Sequence, residues 1–372
     1  MGSIRVAACH AAPVFLSAKQ TTQKVINLIE KAAQRKANLV VFPETYISAF
    51  PLWSSLRPPT ETHHLFKRMA QESIHADGEE MQSIRMAAKE LNINVSLGFS
   101  EKAFLSTATL FNSNMIIGAG GEVLVHHRKL MPTFFEKLTW APGDGNGLRV
   151  AQTPYGRIGN LICGENTNPL ARYTLMAQGE QLHISTWPAA WPTREVPPDA
   201  HNLESSGSPK GARSSKAREA NYDNVAANRI RAAAHCFEAK VFGVMCAGVL
   251  DTEAIDIISD GSSRSEYISQ LLHSAPRAAS MFLDPTGAPL PGFVFENDRD
   301  EAIAKEYLQN EEGIIYADMD LDEGIEGKQY HDVTGGYQRL DIFKLTVNRE
   351  RHRPVVFQKP PSIIISGEDI VQ

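Results

Sequence analysis

The sequence predicts an α/β fold, organised as one domain followed by a C-terminal tail. Three observations carry that expectation. Segments patterned as strands and as helices alternate along most of the chain. Several strand candidates are unbroken apolar runs, the pattern of strands covered on both faces. Three strand candidates also end at Glu44, Lys129 and Cys163, each followed by loop-forming sequence, and ligands gather at such strand ends in open α/β sheets.

Taken in order, Ile4 to Ala8 is a short apolar strand, and Ser17 to Arg35 places Val25, Leu28, Ile29 and Ala32 on one helical face. Asn38 to Phe42 is a fully apolar strand that ends at Pro43-Glu44, followed by a loop rich in Pro and aromatics from Tyr46 to Pro59. Helical spacing returns over Gly78 to Leu91, with Met81, Ile84, Ala88 and Leu91 inward. Asn94 to Phe99 is a strand, and Leu110 to Ile117 with Glu122 to His127 read as a hairpin around Gly118-Ala119-Gly120-Gly121. Irregular sequence runs from Lys129 to the glycines at Gly143 to Gly147. Next come a strand, Ile158 to Cys163, a helix over about Asn168 to Gln178, and a second strand, Gln181 to Trp187. Pro192 to Ala220, polar and rich in Ser, Gly and Pro, reads as a flexible surface excursion. Asp223 to Ala239 is helical, while Val241 to Ala247, Ser280 to Leu283 and Gly313 to Met319 are strands; beyond about Val347 the chain reads as a weakly structured tail.

The 372 residues are 42% hydrophobic and 22% charged, ordinary for a globular protein. A formal net charge of −6 disfavours nucleic acid or anionic lipid as the main partner. The four cysteines, Cys9, Cys163, Cys236 and Cys246, are too few and too scattered for a disulfide framework. The pairs His63-His64 and His126-His127 sit side by side, and neighbours on a strand point to opposite faces, so neither pair readily shares an ion. No metal and no cofactor is expected. No apolar stretch approaches the roughly 18 residues of a membrane span, and the expected setting is the cytoplasm.

Cysteine is most often a small buried hydrophobe, which suits Cys9, Cys236 and Cys246. Cys163 differs because apolar Leu161-Ile162 gives way to Gly-Glu-Asn directly after it. Gly164 allows a reacting group to approach the backbone. Glu44 could be a solvated strand-end acid, yet in a desolvated cleft it would suit proton transfer. Lys129 could be a surface lysine. Singly, each has an ordinary structural explanation; together they offer a base, a cation and a nucleophile at one edge of the fold.

The segments VVFPETYISAFP around Glu44, HRKLMPTFFEKLTWAPGDG around Lys129 and LICGENTNPLARY around Cys163 resemble the nitrilase superfamily, and within it the true nitrilases. The wording is similar to fungal nitrilases acting on aryl or arylaliphatic nitriles. NYDNVAANRIRAAAHCFEAKVFG and DVTGGYQRLDIFKLTVNR extend the likeness to about residues 4–350. The resemblance implies a four-layer α-β-β-α sandwich over residues 1–346, with 347–372 a tail that is flexible or engaged in assembly. It implies Cys163 as nucleophile, Glu44 as base, Lys129 as stabilising cation and Glu136 as a second site carboxylate, acting on a nitrile and water. Tyr46, Trp53, Thr186, Trp187, Ala190 and Trp191 flank the motifs and are candidates for the substrate wall, with Gly164 and Glu165 following the nucleophile. Homo-oligomers, dimers extending into spiral filaments, are also implied.

Two positions depart from the family's wording. Gly164 stands where many nitrilases have Trp, and Ala49-Phe50-Pro51 where many have Gly-Tyr-Pro; both bear on pocket width. A sibling amidase, carbamoylase or cyanide hydratase shares the same three groups. A non-catalytic filament protein on this fold is the alternative of another class.

Overall fold

The structure, a computed structural model, describes residues 3–192, 223–295, 301–352 and 355. From the N-terminus come Ile4–His10 (β1), Ala18–Gln34 (α1), Leu39–Val41 (β2), Trp53–Leu56 (α2), His63–Glu72 (α3), Glu79–Glu90 (α4), Asn94–Lys102 (β3), Leu110–Ile117 (β4) and Val123–Arg128 (β5). The middle supplies Ala151–Thr153 (β6), Gly156–Ile162 (β7), Pro169–Met176 (α5), Leu182–Trp187 (β8), Asn224–Ala239 (α6), Phe242–Ala247 (β9), Thr252–Ser259 (α7) and Ser265–Ser274 (α8). The last part adds Ser280–Leu283 (β10), Pro289–Leu290 (β11), Gly292–Phe295 (β12), Ala302–Lys305 (β13), Tyr307–Leu308 (β14), Gly313–Met319 (β15) and Gly324–Tyr330 (α9).

The strands make two sheets. One runs β13-β12-β15-β1-β2-β3-β4-β5; the other runs β11-β10-β9-β8-β7-β6, with β14 paired to β10. The triplets β1-β2-β3 and β7-β8-β9 are parallel, in keeping with the apolar runs that code for them. Side chains alternate along each strand and so divide between two layers. Val6 and Ala8 of β1 meet Ile158, Ile184 and Val244 of the other sheet. Ala7 and Cys9 turn the other way, toward Val25 and Ile29 of α1 and Met81 and Ile84 of α4. On the far side, Ala232 and Cys236 of α6 pack on Met245 and Met281, and Ala171 and Leu175 of α5 pack on Leu161. The result is the expected α-β-β-α sandwich. Each fully buried Leu, Ile or Phe in these layers contributes about 1.5–3 kcal/mol.

Helix starts are set locally. Pro169 opens α5 behind Asn168, whose side-chain oxygen accepts from the N–H groups of Leu170 and Ala171. Asp223 and Asp251 cap α6 and α7 in the same way, accepting from Ala226 and Ala254.

Several elements differ from the sequence expectation. Helices α3, α7 and α8 each run 10 residues or fewer, too short to show a sustained apolar stripe. The hairpin β12-β13 is an edge feature whose side chains are mostly part-exposed, so alternation in its sequence is weak. Residues 347–352, expected to begin a loose tail, are instead held on the domain. Val347 packs beside Leu148, the Arg349 carbonyl accepts from Asn146 Nδ2 at 3.0 Å, and the His352 N–H donates to Asp144 Oδ2 at 3.0 Å. Beyond Pro192, the excursion read as flexible falls outside the described residues, as do residues 353–354 and 356–372 of the tail. No helix among the described residues is long and apolar enough to cross a membrane.

One close approach fixes the way the chain leaves β2. A Cβ on Gly98 of β3 would lie 2.2 Å from the Pro43 carbonyl oxygen and 2.7 Å from the Thr45 nitrogen, the two residues that flank Glu44. Alanine in a strand is ordinarily more favourable than glycine. Here Gly98→Ala is expected to cost about 1–3 kcal/mol through overpacking. Denaturant unfolding measures it, and an unchanged or raised midpoint would contradict the close approach.

Candidate active site

Pro43 cannot donate to a sheet ladder, so pairing on β2 ends there and Glu44 turns into the gap beyond the strand. Its carboxylate is buried. Glu44 Oε1 accepts from Asn112 Nδ2 at 2.7 Å and from Lys129 Nζ at 2.8 Å. Glu44 Oε2 is buried and has no hydrogen-bond partner. An orphaned carboxylate oxygen of this kind is a place for a substrate proton or a water.

Lys129 is the first residue after β5. Its N–H donates to the Asn112 carbonyl at 2.8 Å, and its own carbonyl accepts from the Gly143 N–H at 2.8 Å. Gly143 is required there, since a Cβ would lie 2.4 Å from the Arg128 carbonyl oxygen. The ammonium also donates to Glu136 Oε1 and Oε2, at 2.9 and 2.7 Å. Glu136 comes from a 3-10 turn, Phe134–Leu138, and its Oε2 accepts from the Thr133 N–H at 3.0 Å.

Cys163 begins a 3-10 turn, Cys163–Thr167, immediately after β7, with a left-handed φ of 51°. One ligand-type atom from each of Glu44, Glu136 and Cys163 lies within 4.8 Å of the others. Four side chains drawn from separate parts of the chain therefore share one buried pocket of charge. Lys129 supplies positive charge between the two carboxylates, the part a metal would otherwise play. Cys9, Cys236 and Cys246 are fully buried, and each is built into a core layer, against the helices or between the sheets.

The titration of these groups follows from burial and proximity. Burial pushes the Cys163 thiol well up, and Glu44 reinforces this while Lys129 opposes it. Burial alone would lower Lys129, but its charge interactions with Cys163, Glu136 and Glu44 raise it instead. Burial raises the Glu136 carboxyl to about 7, against the pull of Lys129 and with the push of Glu44. Groups this close titrate as a unit. The thiol thus rests protonated.

Two further residues hold the site, and sequence patterning barely marks either role. Asn112 orients Glu44; it is one of three adjacent polar residues, Asn112-Ser113-Asn114, inside β4. Glu165, a substrate-side candidate, has both oxygens taken by the protein. Oε1 accepts from the Leu130 N–H at 2.6 Å, Oε2 accepts from the Ile162 N–H at 2.8 Å, and His127 Nε2 contacts both at 3.1 and 2.9 Å. Glu165 therefore joins the Lys129 loop to the Cys163 turn and leaves no oxygen for a substrate.

The other candidates divide. A narrow hollow beside Glu44 is lined by Tyr46, Ala49, Phe50, Pro188 and Ala189 among others. The Tyr46 hydroxyl donates to the Ala12 carbonyl at 3.0 Å, so its ring faces the hollow with the polar end anchored. Trp191 stacks on Phe135 at 4.5 Å, and Phe50 packs edge-on to both. Trp187 packs with Ile162 and Cys163, and its Nε1, like Thr186 Oγ1, is buried without a partner. Ala190 is buried and bridges to Arg277. Trp53 packs edge-on against Phe15 at 6.0 Å within an apolar cluster and is not among the residues lining the hollow. A Cβ on Gly164 would meet Thr133 Oγ1 at 2.7 Å and nothing else within 3.8 Å. A larger groove of about 880 Å³, beside Phe104 and Phe111, is lined by none of the four clustered residues.

Known proteins point the same way. The pattern of the carbon-nitrogen hydrolase family matches residues 5–329. A bromoxynil-specific nitrilase from Klebsiella pneumoniae subsp. ozaenae is 33% identical over 359 residues, covering 95% of this chain and 87% of that protein. An arylacetonitrilase from Hypocrea virens is 31% identical, covering 95% and 94%. A carbon-nitrogen hydrolase structure from Helicobacter pylori G27 superposes with a TM-score of 0.63 at 17% identity, covering 92% of this chain and 97% of its own, which establishes likeness of fold.

Breaking a buried ion pair strands the remaining charge, at about 3–5 kcal/mol. Lys129→Met is expected to lose stability of that order at neutral pH. The loss should shrink on acidification, because burial already holds the Glu136 carboxyl up at about 7 and the stranded group becomes neutral as it takes up a proton. Denaturant melts across pH test this, and a loss independent of pH would contradict the charge arrangement.

Proposed function

The chain belongs to the carbon-nitrogen hydrolase family, and on that footing we propose that it is a nitrilase acting on an aryl or arylaliphatic nitrile through Cys163. The observation that carries the proposal is the bare Oε2 of Glu44, in a buried cluster with the Cys163 sulfur and beside the Lys129 ammonium. A protonated thiol, an unoccupied base atom and a fixed cation are the parts needed to add sulfur to an uncharged triple bond.

The steps follow from where protons can go. Cys163 Sγ bonds to the nitrile carbon as its proton passes to Glu44. Negative charge develops on the nitrile nitrogen, beside Lys129, and is quenched as Glu44 returns the thiol proton to that nitrogen, giving a thioimidate. Preorganised donors at such a charge are typically worth roughly 10²–10³ in rate. Glu44, ionised again, then takes a proton from water as the oxygen adds to the same carbon. It passes that proton to the nitrogen, ammonia leaves as the carbon–nitrogen bond breaks, and a thioester remains. A second water, activated in the same way, breaks the carbon–sulfur bond, releases the carboxylic acid and restores the thiol. Glu136 holds the ammonium in place through both of its oxygens.

The aryl preference rests on Tyr46 and Phe50, which line the hollow with Glu44, and on Phe135 and Trp191, against which Phe50 packs. Flat apolar rings with few polar handles suit an uncharged aromatic substrate. The relatives named for bromoxynil and arylacetonitriles are consistent with that choice. We further place the protein in the cytoplasm as a homo-oligomer. Leu170 of α5 and Ile230 and Phe237 of α6 are 61%, 70% and 48% exposed, an apolar face suited to pairing.

A panel of nitriles with ammonia readout tests the proposal. Phenylacetonitrile is expected to be turned over faster than phenylacetamide, and Cys163→Ala to abolish ammonia release while Cys9→Ala retains it. Preference for the amide would make the protein an amidase. Formamide from cyanide with no turnover of aryl nitriles would make it a cyanide hydratase.

A further inference from the structure

Behind the nucleophile lies a second buried polar cluster that the reaction scheme leaves unused. Glu180, His183 and His235 are wholly buried. Glu180 Oε1 meets His183 Nδ1 at 2.8 Å, and Oε2 meets His235 Nε2 at 2.6 Å. The chain of contacts continues toward the site. His183 Nε2 meets Asn166 Oδ1 at 2.9 Å, and the Ser185 hydroxyl donates to the same oxygen at 3.0 Å. Asn166 Nδ2 then donates to the carbonyls of Leu161 and Cys163, at 3.1 and 3.0 Å.

The direction of these contacts is fixed by chemistry. Backbone carbonyls only accept, so the amide nitrogen of Asn166 must face them and its oxygen must face His183. His183 therefore carries a proton on Nε2, and a further proton closes its contact with Glu180. The spacing of Glu180, His183 and His235 is also that of a metal ligand set. Their rings, however, lie 3.6 Å apart and within 13° of parallel, so the nitrogen lone pairs run side by side without converging. Each nitrogen has its own oxygen of Glu180, an arrangement suited to hydrogen bonds and not to one shared ion. The relay is anchored on the other side as well. Arg172 Nη1 donates to the Asn166 carbonyl at 2.9 Å while its Nη2 holds Glu238 of α6 at 2.9 Å.

Resting on the reading of Cys163 as nucleophile, we propose that Glu180, His183 and Asn166 form a positioning relay that holds the Cys163 backbone in its left-handed conformation, with Sγ aimed at Glu44. A non-glycine residue keeps a φ of 51° only when its surroundings over-determine it. Asn166 does so by gripping the carbonyls on either side of Ile162, and the two links behind it stop the amide from turning over.

The test measures kcat, KM and the rate of Cys163 alkylation by iodoacetamide in folded variants. Asn166→Asp presents an acceptor to two carbonyls, and Glu180→Ala lets His183 rotate. Both are expected to lower kcat about a hundredfold with KM changed less than about threefold, and to slow alkylation in parallel. Glu180→Gln donates to His183 Nδ1 and accepts from His235 Nε2, so it is expected to recover kcat to within about fivefold of the unsubstituted protein. Unchanged kcat and alkylation in folded Asn166→Asp, or Glu180→Gln as slow as Glu180→Ala, would overturn the relay. If the harsher variants do not fold, His183→Asn decides, since it removes the contact with Asn166 Oδ1: slower alkylation supports the relay and an unchanged rate overturns it. Alkylation requires no nitrile. A protein that shows this pattern yet turns over no nitrile keeps the relay and loses only the nitrilase reading.

Discussion

The structure depends on a single ammonium group placed among two carboxylates where water does not reach. Lys129 Nζ holds Glu44 on one side and both oxygens of Glu136 on the other, and its side chain is 0% exposed. Removing such charges from water costs several kcal/mol per ion, and only short, well-directed bonds offset it. That requirement explains much of the surrounding architecture. Asn112 fixes Glu44, Thr133 fixes Glu136, and Gly143 lets the Lys129 loop fold close to its own strand. With the cation satisfied, one carboxylate oxygen is left bare beside a thiol. The reactive geometry is a by-product of how the charge is housed.

The sandwich supplies that housing because Glu44 and Lys129 leave one sheet while Cys163 leaves the other. Glu165 closes the gap between them, bonding the Leu130 and Ile162 N–H groups at once. The site therefore rests on the register of two sheets, which the apolar layer between them sets. Cys163 has polar support on both sides: the Lys129 cluster in front and the Asn166 chain behind. Phe50, which lines the hollow beside Glu44, packs in turn with Phe135 and Trp191, and low polarity of this kind strengthens electrostatics nearby.

Much of this was legible in the sequence, for physical reasons. Parallel strands buried on both faces must be continuously apolar, so β1, β2, β7 and β9 stood out, and a polar residue at the end of such a run must have a use. Glu44 and Cys163 stood out on that ground, and Lys129 as the end of a strand that runs into loop-forming sequence. Glu136 was not, since a glutamate in Phe-Phe-Glu-Lys looks like any short amphipathic turn; it came only from the family's wording. Glu165 was placed on the substrate side because nothing local says that a carboxylate will bond two backbone N–H groups from different loops. Trp191 was singled out because it flanks a motif, whereas the Phe135 ring it stacks on meets it through tertiary packing alone. Short helices such as α3, α7 and α8 escaped notice because few turns give periodicity little room to show. Residues 347–352 looked loose, as their anchors are backbone groups and the side chains of Asn146 and Asp144, far away in sequence.

Active-site titration reaches the central claim most directly. The protein is treated with increasing iodoacetamide, the label is located by peptide mass spectrometry, and residual ammonia release from a nitrile is measured at each step. The account predicts that label enters at Cys163 and that activity falls in proportion, reaching zero at one label per chain. Full labelling of Cys163 with turnover intact, or loss of turnover that follows label at Cys9, Cys236 or Cys246, would contradict it.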